Sequence, residues 1–202
     1  VVAPGFLQFM NDALAVYENN PRIGSIAAYC PPIKIPASYD KDVFALTRLN
    51  PWGIGLWQRY YKMNTPISED CYREVYGSRK RLEALERSVG QEAVEIITMD
   101  FEGKLDAGDM KSIFWQFYDD KLTVYPRKSL SDSIGQDGTG FHMGVTDKWN
   151  IHEVWDKERG FEFDLDIEVD ERIRRSHYDF YREPYKVKLV RTLRSIGVYD
   201  AI

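Results

Sequence analysis

Trp52-Gly53-Ile54-Gly55-Leu56-Trp57 sets two indoles around two glycines within six residues. Glycine lets the backbone approach whatever lies against it, and indole rings offer flat faces for stacking. A sugar, with an apolar C–H face and a polar rim, suits such a loop. Trp52, Gly53, Gly55 and Trp57 are therefore candidate acceptor-binding residues. The same pattern also fits a core loop in which the two indoles only pack.

Outward from this loop, the pattern alternates between strand-length and helical runs. Phe6, Phe9, Met10, Ala13, Leu14 and Tyr17 form one apolar stripe, which predicts a helix from Pro4 to Asn19, stopped by Asn19-Asn20-Pro21. Ile23 to Cys30, Val43 to Leu46 and Leu122 to Pro126 are short apolar runs that suit strands. Glu69 to Val89, Gln91 to Phe101 and Asp109 to Asp119 carry helical spacing. Ile134 to His142 is a polar loop rich in glycine. The sum is a helix-rich α/β chain with no internal repeat.

Composition narrows the class. A hydrophobic share of 44% and a charged share of 29% are those of a globular domain, and 202 residues suffice for one. A net charge of −5 argues against nucleic acid as a partner. Cys30 and Cys71 are the only cysteines and form no CxxC, so the expected compartment is reducing and cytoplasmic. No apolar run reaches the roughly 18 residues of a membrane span. The absence of an initiator Met suits an excised piece of a longer protein.

The order of several short motifs resembles a known family. Pro4-Gly5-Phe6-Leu7-Gln8-Phe9-Met10, then Ile23-Gly24-Ser25-Ile26, then Asp42-Val43-Phe44 and the Trp/Gly loop follow one another. Glu102-Gly103-Lys104-Leu105-Asp106, Leu122 to Leu130, and Ile134-Gly135 through His142 complete the series. Over residues 1–145 the chain is similar to GT-A glycosyltransferases. The similarity is to bacterial sugar transferases of polysaccharide synthesis and, remotely, to N-acetylglucosaminyltransferase I.

The resemblance implies a C-terminal, acceptor-side part of a GT-A (Rossmann-like) catalytic domain over 1–145. Beyond it, 146–202 reads as an acidic linker and a basic helical tail. The family's nucleotide-binding half and its acidic metal motif would precede Val1. Asp164-Leu165-Asp166 spells such a motif but lies in a charged stretch, which suits an acidic surface. The implied activity, in the full-length form and not in this part alone, is inverting transfer from a nucleotide-sugar to a saccharide or lipid-linked saccharide acceptor. Mn2+ or Mg2+ would hold the donor diphosphate.

That chemistry needs a carboxylate to take the acceptor's proton. In relatives the base stands at the start of a helix beyond the Trp/Gly loop, which matches Glu92 here. Relatives often carry two adjacent acids where this chain has Gln91-Glu92. Glu92 also favours a helix start electrostatically. Gly138 and Gly140 expose backbone amides for phosphate, Arg127 and Lys128 are cations just upstream, and His142 is the candidate metal ligand. His152 and His177 have no comparable setting. In the tail, Arg172, Arg174, Arg175, Arg182, Lys186, Lys188, Arg191 and Arg194 interleave with aromatics. Such a tail suits peripheral contact with the inner face of the plasma membrane, or packing back on the domain. A non-catalytic carbohydrate- or partner-binding module and a peripheral membrane scaffold are the competing classes.

Overall fold

The computed structural model describes residues 1–62, 64–138, 145–151 and 153–182 of the chain. Gly140, His142, His152 and the segment from 183 onward lie outside these residues.

The centre is a mixed sheet of four strands, β1 (Ile23–Ala27), β2 (Val43–Leu46), β3 (Ile54–Leu56) and β4 (Leu122–Pro126), in the order β2-β4-β1-β3. β1 and β4 run parallel, and the two outer strands are antiparallel to their neighbours. Side chains alternate across the sheet as the pleat requires. Val43, Ala45, Leu122 and Val124 face one core, while Phe44, Leu46 and Tyr125 face another. Both faces are covered, which is why β1, β2 and β4 are buried along their whole length.

Helix α1 (Phe6–Val16) covers the first face with Phe9, Met10 and Ala13. Beside it lie Trp155, Phe161 and Ile167, so the stretch read from sequence as an acidic linker is a layer of the fold. Its polar atoms fasten it down. Asp42 accepts from Lys157 at 2.6 Å and from the Glu162 amide at 2.9 Å, and the Tyr17 hydroxyl donates to the Asp164 carbonyl at 2.8 Å. Asp164 pairs with Lys41, whose hydrogen bond holds its carboxyl below the usual range, and Leu165 is exposed. The Asp164-Leu165-Asp166 triplet is thus a surface turn.

On the other face a second core joins α2 (Glu69–Tyr76), α3 (Arg79–Val89), α4 (Gln91–Phe101) and α5 (Gly108–Tyr118). Gln116 of α5 reaches the sheet, where it bonds Ser25 and Thr123, themselves 2.8 Å apart. This closed triad satisfies polar groups that would otherwise be costly so deep in the chain. The sequence-predicted helix from Glu69 to Val89 breaks at Gly77, where the Ser78 hydroxyl caps α3 by accepting from the Arg81 amide at 3.4 Å.

Helix α6 (Glu171–Tyr181) begins at Asp170, whose carboxylate accepts from the Arg172 amide at 2.8 Å. Arg172 also holds the Asp170 carboxyl down at about 2. The helix buries Ile173, His177 and Tyr181. His177 is 1% exposed, and neither ring nitrogen has a partner. Burial and, secondarily, the nearby Arg48 charge push its pKa well below the usual value.

The fold therefore keeps His177 neutral, while the unfolded chain takes a proton below about pH 6.5. Stability from this residue is complete above that pH and is lost as pH falls, at up to about 1.4 kcal/mol per pH unit. Urea unfolding between pH 7.5 and 5 is expected to show this slope, and His177→Leu is expected to remove it. An unchanged slope in a folded His177→Leu protein would assign the pH dependence elsewhere.

Candidate functional site

Loops from the carboxyl ends of β1 and β4, where open α/β sheets take their ligands, meet the Trp/Gly stretch. The Ala28 amide donates to the Gly53 carbonyl at 2.7 Å, and the Ser131 hydroxyl donates to the Trp52 carbonyl at 3.1 Å. Trp52 is held further by its own amide, which donates to Asn50 Oδ1 at 2.9 Å.

Trp52 borders a cavity of about 190 Å³ that also includes Arg48, Glu92, Asp109, Trp149 and Tyr181. Trp149 lies edge-on to Trp52 with ring centroids 5.9 Å apart, and 5.3 Å from Tyr181. The Tyr29 hydroxyl fixes this wall by donating to the Trp149 carbonyl at 2.7 Å. Glu92, in the first turn of α4, comes to the same cavity. Its Oε2 is buried without a hydrogen-bond partner. An unsatisfied buried carboxylate oxygen is costly, and beside a cavity it is free to accept a hydrogen bond there.

Arg48 is 5% exposed, lies 3.6 Å over the Tyr181 ring and donates to the Val89 carbonyl at 2.6 Å. Burial raises the Tyr181 pKa, the Arg48 charge opposes that rise, and Glu92 adds to it. Asp109 stands in the first turn of α5, its carboxylate accepting from the Met110 amide at 3.0 Å. The site thus combines aromatic walls, one buried cation and two carboxylates. Such a set holds a polyhydroxylated ring by stacking and can accept a hydroxyl proton.

The structure brings together Trp52 and Glu92, which lie forty residues apart in sequence. Trp57 is elsewhere: it packs on the α1 core, donates to the Leu14 carbonyl at 3.3 Å and carries Arg59 over its ring. Gly53 and Gly55 leave space that α1 fills. A Cβ on Gly53 would meet Phe6 at 2.9 Å, and one on Gly55 would meet Met10 at 3.0 Å. Arg127 and Lys128 line a separate hollow of about 400 Å³ with Cys30, Ser129 and Trp155. Burial pushes the Cys30 thiol there up to about 12, so it is no nucleophile. Gly138 is exposed with φ of +89°.

Arg48, Asp109, Trp149 and Tyr181 carry no sequence motif. Only their proximity in the fold makes them site residues. Among the described residues no group of three or more His, Cys, Asp or Glu is placed to hold a metal ion. No described helix is long and apolar enough to cross a membrane.

Truncation separates the two indoles. If the cavity holds a pyranose ring, Trp52→Ala is expected to weaken its binding roughly tenfold through lost stacking. Trp57→Ala is expected to leave binding intact and lower stability by about 2 kcal/mol. Glycoside titrations followed by indole fluorescence, beside urea unfolding, check both. Comparison of the chain with family models, with curated proteins and with solved structures returned no match.

Proposed function

We propose that this α/β chain is the acceptor-side part of a GT-A glycosyltransferase acting in cell-surface polysaccharide synthesis. In its full-length form the protein transfers a sugar from a nucleotide-sugar to a saccharide or lipid-linked saccharide, with inversion, and the part described does not turn over alone. The observation that carries the reading is the unpartnered Glu92 oxygen in a cavity walled by Trp52 and Trp149. A volume of about 190 Å³ falls below the roughly 300–1,000 Å³ of sites for drug-sized ligands. It suits one sugar ring, with the rest of the acceptor outside.

In the proposed step Glu92 takes the proton of the acceptor hydroxyl as that oxygen bonds to the anomeric carbon. The bond from that carbon to the diphosphate breaks, and its electron pair leaves with the nucleotide. The carboxylic acid then returns its proton to water. Mn2+ or Mg2+ belongs to this reading, but no ligand set for it stands among the described residues. No step here runs through it.

Product analysis by mass spectrometry, on the full-length form with a panel of nucleotide-sugars and glycoside acceptors, tests the reading. A new glycosidic linkage made by the wild type and not by Glu92→Gln supports it. Ring binding without transfer, across the panel and with divalent metal present, would instead favour a carbohydrate-binding module. Transfer that survives unchanged in Glu92→Gln removes Glu92 from the chemistry.

A further inference from the structure

The turn that delivers Glu92 is gripped from two sides by residues outside the Trp/Gly loop. α3 ends at Val89 and α4 starts at Gln91, with only Gly90 between them at φ of +92°. Arg48, just beyond β2, donates from Nη1 to the Val89 carbonyl at 2.6 Å. That carbonyl belongs to the C-terminal end of α3, where the helix dipole favours a cation. The guanidinium carbon lies 3.6 Å from the centroid of the Tyr181 ring, which comes from α6. Tyr181 in turn presses on the turn: a Cβ added to Gly90 would lie 2.5 Å from Tyr181 Cβ.

Arg48 and Tyr181 both line the cavity that contains Glu92, and no carboxylate pairs with Arg48 among the described residues. A buried guanidinium with one carbonyl and one ring as partners is expensive to keep unless its position has a use. The ring packs on the guanidinium, the guanidinium holds the Val89 carbonyl, and Glu92 follows three residues later. A lysine does not replace this set, since its ammonium is a compact point charge without the guanidinium's rigid fork of donors.

We propose that Arg48 and Tyr181 are positioning residues that hold the α3–α4 turn so that the Glu92 carboxylate faces the cavity. Helix α6, beyond the stretch that resembles glycosyltransferases, is then part of the site. The proposal takes from the preceding reading only that Glu92 is the acting group.

The test measures amide hydrogen exchange in the 202-residue protein and in Arg48→Met, Arg48→Lys, Tyr181→Phe and Tyr181→Leu. The reporters are the amides of residues 94–97, which bond back to the first turn of α4, beginning with Val94 to the Gly90 carbonyl at 3.4 Å. Arg48→Met, Arg48→Lys and Tyr181→Leu are expected to speed exchange there roughly tenfold, while amides of β1 and β4 keep their protection. Tyr181→Phe, which retains the ring, is expected to match the wild type.

In the transfer assay, Arg48→Met is expected to lower kcat roughly 100-fold, as a base displaced by about 1 Å would, with acceptor KM nearly unchanged. A general loosening would expose the sheet amides as well and would refute a local role. Unchanged exchange at 94–97 in folded Arg48→Met overturns the proposal while leaving the Glu92 reading intact. If the full-length wild type transfers no sugar, the enzymatic reading fails, and the exchange pattern alone decides whether the turn is positioned this way.

Discussion

In the full-length form, Glu92→Gln is expected to abolish sugar transfer, by roughly 10²- to 10⁴-fold, the range contributed by a positioned general base. The substitution keeps the shape of the side chain and its place in the first turn of α4. It removes the ability to accept a proton fully. On the proposed reading the aromatic walls hold the ring, so glycoside affinity is expected to change by about twofold at most. Stability is expected to hold or rise, because Oε2 has no partner in the unliganded protein and an amide is cheaper to bury than a carboxylate. Loss of transfer with binding and stability retained is the signature of a base. Loss of all three would make Glu92 a structural residue.

The second large effect is on the turn itself. Gly90→Ala is expected to destabilise the protein by about 3 kcal/mol or more. It adds a Cβ at φ of +92° and sets it 2.5 Å from Tyr181 Cβ. Gly103→Ala is the milder comparison, since Gly90 also has ψ of 151°, a backbone region that is essentially glycine's alone. Gly103 also has positive φ, at +70°, but its Cβ would meet nothing within 4 Å. Its cost is expected to stay near 1 kcal/mol, the conformational part alone. Urea unfolding of both variants measures the difference. Equal costs would mean that α6 does not press on the turn at Gly90.

Elements with strong periodicity are legible in the sequence itself. β4 and α4 occupy the residues their patterns predict, Leu122–Pro126 and Gln91–Phe101. The Trp/Gly loop hides a three-residue strand, Ile54–Leu56, because a run that short has no measurable alternation. The break between α2 and α3 is hidden because the helical spacing continues across Gly77-Ser78, and only the cap at Ser78 stops it. Residues 153–170 resemble a linker because acids outnumber apolar residues there. Yet Trp155, Phe161 and Ile167 suffice to seat the stretch on α1.

The site is half legible. Trp52 and Glu92 stand out because an indole beside glycine and an acid at a helix start are local signals. Their partners are not local. Arg48 sits between a strand and a loop, and Tyr181 lies on a distant helix among many tyrosines. Nothing in either neighbourhood announces a cavity. The two indoles of the Trp/Gly loop are also equivalent by sequence pattern. Trp52 precedes β3 and meets the cavity, whereas Trp57 follows it and turns to α1.

The most direct measurement of the central claim is a two-dimensional NMR titration of the 202-residue protein with a panel of simple methyl glycosides. The account predicts that at least one glycoside shifts the indole N–H signals of Trp52 and Trp149 and the backbone amides of the first turn of α4. The Trp57 indole should stay still. If every glycoside leaves those signals unmoved, or moves only residues around Arg127 and Lys128, the Glu92 cavity is not the saccharide site.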